Sequence, residues 1–295
     1  MGLSRRLQAD LWIILLSAIW GCTFVVLKRA LDDISPMLLV LVRFTLAAPL
    51  LWLLVPAGAL QPGALRGGAV TGLLLFLGFA AQTIGIQWTT PARSGFITGM
   101  YLVFTPLLAV LVKRRWPSVD SLAGVAMATA GLFLLTQPAG SGAGFGRGEI
   151  LTLLCAAAFA GHLLAVDHYT RLFDKSGIAF LQVAAVAVLA LPCLALETPR
   201  LQVTLRLMAA LGVMAVLATA IAFYVLNTVQ SWTTPTRAAI IFAAEPVFAA
   251  LTSWLAEGER LTAGALAGAG LIVAGMLSAE LSPFSRRRAS DEAAA

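Results

Sequence analysis

Read for polarity alone, the chain is a succession of long uncharged apolar runs joined by short polar connectors. A helix needs about 17–25 apolar residues to cross the ~30 Å hydrocarbon core of a bilayer. Ten runs approach or reach that length: Leu11–Leu27, Met37–Val55, Gly68–Trp88, Ser94–Val112, Ser121–Thr136, Ile150–Val166, Gly177–Leu196, Leu207–Trp232, Ala238–Ala256 and Leu261–Ala279. The fifth is short, and two carry a charge within them, Arg43 in the second and Glu245 in the ninth. The pattern predicts an all-α membrane protein with ten transmembrane helices, and its connectors leave no room for a soluble domain of ordinary size.

The connectors contain an echo. Trp-Thr-Thr-Pro-x-Arg stands at Trp88–Arg93 and again at Trp232–Arg237, 144 residues later. Gly124 and Gly131 recur at the same separation as Gly268 and Gly275, while Pro106 matches Pro246 at a separation of 140. Four residues make about one helical turn, so their omission keeps the helix face. Fainter echoes link Gly21 with Gly161 and Arg43 with Gln182. The chain therefore reads as a duplicated five-span unit: residues 1–138, a Gly-rich linker at 139–149, a second unit at 150–280 and a cytoplasmic tail at 281–295. Five is odd, so the second copy must enter the membrane from the opposite side. The expectation is two inverted repeats related by a two-fold axis in the membrane plane, with the two Trp-Thr-Thr-Pro turns on opposite faces. Their tryptophans suit the interfacial belts and their prolines stop the preceding helices. The linker's glycines follow no strand and lack Gly-Lys-Ser/Thr, so they form no recognisable phosphate-binding loop.

Composition agrees: 60% of residues are hydrophobic and 12% charged, with a mean hydropathy of +0.91, whereas soluble domains carry about 25% charge. The net charge of +6 does not mark a nucleic-acid binder, because the basic residues flank the spans. With the N-terminus inside, twelve of the 20 Lys and Arg fall in cytoplasmic segments and seven in outer loops, which favours both termini in the cytoplasm of a cell's inner membrane. Arg5 and Arg6 before an apolar run imitate a signal peptide, but Trp20 breaks the small-residue pattern before Cys22, so the run reads as the first helix. Cys22, Cys155 and Cys193 lie in apolar runs and give neither a disulfide framework nor metal-ligand spacing.

Charge within a membrane is costly and marks candidate function. Arg43 lies about 10 Å in from one face and Glu245 about 12 Å in from the other, so their long side chains can approach each other or hold a zwitterion between them. The alternative is that Arg43 snorkels outward and Glu245 stays neutral or hydrogen-bonded in the bundle. Pro106 and Pro246, preceded by Thr105 and Glu245, interrupt corresponding spans and are hinge candidates at a midplane site. Trp20, Thr23, Gln82, Tyr101, Gln182, Tyr224 and Asn227 offer aromatic faces and amides for a small organic solute, or hydrogen bonds between helices. His162, Asp167 and His168 are spaced i, i+5 and i+6, which puts His162 on no common face with either partner and argues against a metal site; Asp167 and Arg171 are spaced for an ion pair. Gly124, Ala128, Gly131, Gly264 and Gly268 give small faces that serve packing within the molecule or a homodimer contact.

Several stretches carry a family resemblance: "AIWGCTFV" in the first span, "VRFTLAA" in the second, "ARSGFITGMYLVFTPLLAVLVKRR" in the fourth, "TRAAIIFAAEPVFAALTSWLAEGERLT" across the ninth and "LAGAGLIVAGML" in the tenth. Together they resemble the EamA-type permeases of the drug/metabolite transporter superfamily. The resemblance implies ten helices in two inverted units, a central cavity formed by the first four helices of each, and the fifth and tenth at the periphery. It also implies secondary transport of small metabolites, often export of amino acids or related compounds, without a cofactor. Trp20, Gly21, Arg43, Glu245, Pro246 and Glu259 fall on the family pattern, whereas Thr105 and "KRRWPS" in the first half depart from the second. The expected partners are a small-molecule substrate and the lipid bilayer. A membrane-embedded enzyme is the rival reading, but the chain has no His-Glu-x-x-His, no Gly-x-Ser-x-Gly and two histidines in all. A non-transporting bundle would have no use for an inverted duplication.

Overall fold

The computed structural model describes residues 4–113, 119–135, 146–257 and 263–281. Helices account for nearly all of them; α1 spans Arg5–Ala30, α2 Pro36–Trp52, α3 Pro62–Gly85, α4 Pro91–Gly99, α5 Tyr101–Lys113 and α6 Val119–Leu135. After the linker come α7 at Arg147–Leu172, α8 Lys175–Cys193, α9 Leu205–Gly212, α10 Ala222–Gln230, α11 Pro235–Phe242, α12 Glu245–Glu257 and α13 Ala263–Leu281. Between α9 and α10 the chain stays helical but widens into a π-helical stretch, Val213–Ile221. Among the described residues, seven helical stretches are long and apolar enough to cross a membrane, and Pro36–Trp52, Leu122–Leu134 and Leu266–Gly275 are shorter apolar helices. Most of the expected 139–149 linker, all of 282–295 and Glu259 lie outside the described residues.

The helix starts follow local chemistry. Proline stands at the first helical position of α2, α3, α4 and α11, where its missing N–H costs nothing. Thr90 and Thr234 cap α4 and α11, each side chain accepting from the N–H of the arginine three residues on, Arg93 and Arg237. That is the local reason for Thr-Pro-x-Arg.

Each arginine then reaches across to the other half of the chain. Arg237 donates from Nε and Nη2 to both carboxylate oxygens of Asp10 on α1, at 2.9 and 2.6 Å, and both residues are buried. Arg93 pairs at 3.3 Å with Glu149 on α7, which also accepts from the Thr89 hydroxyl at 2.8 Å. The far ends of α1 and α7 close the opposite turns. Lys28 Nζ donates to the carbonyls of Ile86, Gln87 and Thr89, while Arg171, paired with Asp167 at 2.8 Å, donates to the Thr233 carbonyl at 3.2 Å. Each repeated turn thus grips an acid from one first helix and a base from the other.

The same reciprocity joins α6 and α13, which pack along their lengths. A Cβ at Gly131 would lie 2.6 Å from the Gly268 carbonyl, and one at Gly275 would lie 2.8 Å from the Gly124 carbonyl. Glycine is needed because backbone, which cannot yield, faces backbone. The small faces of these helices are therefore spent within the molecule.

Near the first turn's end of the bundle, a strap crosses between the connectors α1–α2 and α8–α9. Ile34 and Leu201 form an isolated antiparallel bridge. Glu197 accepts from the Ser35 hydroxyl and from the free N–H groups of Met37 and Leu38 at the start of α2. Asp33 accepts from Thr204 at 2.8 Å and from Arg206 at 3.1 Å, and these donors hold its carboxyl below the ordinary carboxylate range.

Candidate functional site

Two of the apolar helical stretches are broken along their length. The break between α4 and α5 falls at Met100, and that between α11 and α12 at Ala243 and Ala244. Tyr101 and Glu245 open the second segments, and they stand 144 residues apart, the separation of the two turns. The first break thus lies six residues before Pro106, which sits inside α5, whereas Pro246 follows its break by two residues. A proline removes one N–H and crowds the preceding turn, so it tolerates a nearby break without fixing its position.

Between the breaks lies a cavity of about 60 Å³. Its walls include Trp20 and Thr23 from α1, Arg43 from α2, Phe79 and Gln82 from α3, Tyr101 from α5, His162 from α7, Phe223 from α10, Phe242 from α11 and Glu245 from α12. Of the residues anticipated from sequence, Trp20, Arg43, Gln82, Tyr101 and Glu245 are brought together here. Tyr224 and Asn227 are not among its lining, and Gln182 stands behind it as the hydrogen-bond partner of His162 at 2.6 Å.

Seven of the sixteen lining residues are Phe, Tyr or Trp. Trp20 stacks on Phe242 with centroids 5.2 Å apart and leans on Phe223 at 5.7 Å. Phe79 meets Phe159 and Phe223 edge to face at 5.4 and 6.1 Å. Such pairs hold an apolar solute surface and fix one another's ring planes.

Arg43 is 3% exposed and does not snorkel. Its Nε donates to the Thr219 hydroxyl at 2.7 Å and its Nη2 to the Ala218 carbonyl at 3.1 Å, while the guanidinium carbon lies 4.6 Å from the centre of the Phe79 ring. The indole N–H of Trp20 donates to the same Ala218 carbonyl at 2.9 Å. Both partners belong to the π-helical stretch, where the backbone bonds five residues back and carbonyls are turned out of the usual ladder. The widened helix is thus the seat for Trp20 and Arg43. Two of the five guanidinium N–H groups are held by these bonds, and among the described residues no carboxylate pairs with Arg43.

Glu245 is 7% exposed, and the Tyr101 hydroxyl lies 3.5 Å from its Oε2. It stands in the first turn of α12, where the helix dipole favours a negative group. His162 Nε2 lies at hydrogen-bond distance, 2.6 Å, from Oε1 of Gln182 on α8. The cavity therefore presents a guanidinium, a carboxyl, an imidazole and an amide within an aromatic wall. Sequence spacing passed over His162 because it was weighed against residues of its own helix, whereas its partners come from other helices. The five phenylalanines had no signal at all in so apolar a chain.

Comparison with known proteins agrees with this architecture. The model of the EamA-like transporter family matches residues 7–137 and 146–279. An uncharacterized transporter of Archaeoglobus fulgidus is 34% identical over 277 residues, covering 94% of this chain and 87% of the relative. A probable amino-acid metabolite efflux pump of Salmonella typhimurium is 26% identical over 279 residues, 89% of this chain and 91% of the pump. One solved crystal structure superposes with a TM-score of 0.78 at 19% identity, covering 95% of this chain and 98% of its own, and shares the fold. The chain belongs to the EamA-like transporter family, and is a multi-pass membrane transporter rather than an enzyme.

Proposed function

We propose that this transporter exports an amino acid or a related small metabolite across the inner membrane by alternating access. The observation that carries the proposal is the cavity itself, which Arg43 and Glu245 line together with aromatic rings. A carboxylate suits the remaining N–H groups of Arg43, an ammonium suits Glu245, and the rings suit an apolar side chain. The Salmonella relative is named for amino-acid metabolite efflux, which favours the same cargo and direction.

The finer architecture belongs to this proposal. Ten crossings divide into inverted units at 1–138 and 150–280, both termini are cytoplasmic, and one unit rocks against the other about a midplane site. Support comes from two successive family matches, the glycine contacts exchanged between α6 and α13, and the two ion pairs exchanged between the halves. The breaks at Met100 and at Ala243–Ala244 are the sites where the crossings flex, with Pro106 and Pro246 as their nearest prolines.

Purified protein in liposomes should show counterflow of a labelled solute from a panel of amino acids, nucleosides and sugars, without ATP. Removing a charge-assisted hydrogen bond worth about 1.5–3 kcal/mol lowers the rate about 10- to 100-fold, so Glu245→Gln and Arg43→Ala should each reduce counterflow on that scale. Full activity in both variants would remove the site assignment. Preference for nucleosides or sugars would remove the cargo.

A further inference from the structure

The cavity ends at Phe223 and Leu226 on α10, but a buried polar stripe continues beyond it. Gln230 lies i+4 from Leu226 and thus on the same face, one helical turn or about 6 Å nearer the second Trp-Thr-Thr-Pro turn. It is fully buried, and among the described residues neither its Nε2 nor its Oε1 has a hydrogen-bond partner. Asn227, also fully buried, donates from Nδ2 to the Phe223 carbonyl at 2.7 Å, but its Oδ1 has no partner; nor has the hydroxyl of Thr233, which is 6% exposed. Four polar atoms in seven residues are left unsatisfied, where buried polar groups are nearly always paired.

These four atoms cluster at one end of the bundle, whereas the other buried polar atoms without a partner among the described residues, Ser94 Oγ and Gln182 Nε2, stand singly. At the separation of 144, their counterparts in the first half are Thr83, Ile86 and Thr89, of which Ile86 is apolar and Thr89 is bonded to Glu149. Packing symmetry therefore does not account for Gln230. What distinguishes this end is how deeply its closing pair is buried: Arg237–Asp10, which joins α11 to α1, has side chains 9% and 3% exposed, against 29% and 6% for Arg93–Glu149 at the other turn.

We propose that Asn227, Gln230 and Thr233 form a second polar station on the solute pathway, sealed in this conformation by the Arg237–Asp10 ion pair and wetted when that pair parts. The proposal rests on the transport reading and adds the route. The station holds both donors and acceptors and no charge of its own, so it suits a small solute bearing amide, hydroxyl or zwitterionic groups as it leaves or approaches Arg43 and Glu245. The unsatisfied atoms raise the free energy of the sealed state, and their hydration favours opening.

The test is accessibility of a single thiol. In a chain carrying Cys22→Ser, Cys155→Ser and Cys193→Ser, Gln230→Cys is exposed to a charged, membrane-impermeant methanethiosulfonate from either side of reconstituted liposomes. Labelling should be slow with the ion pair intact and rise about tenfold or more with Asp10→Asn, from the second turn's side alone. The exchanged pair Asp10→Arg with Arg237→Asp should return it toward the slow rate. Arg237→Lys, which keeps the charge but loses the two-pronged bond, replaces Asp10→Asn if that chain does not assemble, and must show the same rise. Ile221→Cys, 44% exposed on the outer surface of the same helical crossing, should stay unlabelled throughout. No rise at Gln230→Cys in a folded variant, an equal rise from both sides, or an equal rise at Ile221→Cys would overturn the station. Gated labelling in a protein that moves no solute would instead remove the transport reading and leave the gate; counterflow without labelling would do the reverse.

Discussion

At the scale of single residues, the tightest constraint near the site is Gly21. A Cβ there would lie 2.5 Å from the Glu245 carbonyl and 2.7 Å from the Phe248 Cβ. The absent side chain lets α1 rest on the break before α12 and sets Trp20 against Phe242. Gly21→Ala must push two backbones apart, and overpacking costs about 1–3 kcal/mol, so both the melting temperature in detergent and counterflow should fall. Gly212→Ala, where nothing lies within 4 Å of the new atom, should leave the melting temperature unchanged or slightly raised. Charge made Arg43 and Glu245 legible in the sequence, because a lone ion in an apolar run has few bland explanations. The pairing of Asp10 with Arg237 escaped notice for the opposite reason: charges at the ends of spans are expected, and nothing in one dimension distinguishes an interfacial charge from half of a buried pair.

At the scale of elements, the apolar runs were readable because a bilayer enforces them, and their ends shifted only by a few residues, as with α3 beginning at Pro62 rather than Gly68. Two internal features were not. Met100 has no property that announces a break, and Pro106 drew attention away from it. The π-helical stretch Val213–Ile221 contains neither glycine nor proline, since the widening serves contacts made by α1 and α2 rather than any preference of its own residues. The strap is an element whose stability depends on pH. The Asp33 carboxyl is held below its ordinary value by Thr204 and Arg206, so its contribution is complete above about pH 4, the unfolded value, and is lost as pH falls through the lower folded one. Thermal melts between pH 7 and pH 3 should therefore show an acid-dependent loss that Asp33→Asn abolishes, the variant being less stable than the parent at neutral pH. An unchanged acid profile in Asp33→Asn would assign the loss to other carboxylates.

At the scale of the whole molecule, the echo of Trp-Thr-Thr-Pro-x-Arg was legible because a capped helix start with a fixed arginine leaves a recognisable string, and the proposed duplication begins from it. Its purpose was hidden, since the acid that each arginine meets belongs to the opposite half. The proposed inverted arrangement predicts that Thr90→Cys and Thr234→Cys, introduced one at a time into the chain lacking its natural cysteines, react with an impermeant reagent from opposite sides of the membrane. Reaction of both from one side would leave the reciprocal contacts without a two-fold axis and the rocking motion without its geometry.

The exchanged ion pairs also bear on how the protein is made. Asp10 leaves the ribosome 227 residues ahead of its counter-ion Arg237. Throughout synthesis the early helices carry a carboxylate with no mate, so the nascent first half is an unfinished object rather than a subdomain, and it reaches its resting shape only after the second half has threaded in beside it.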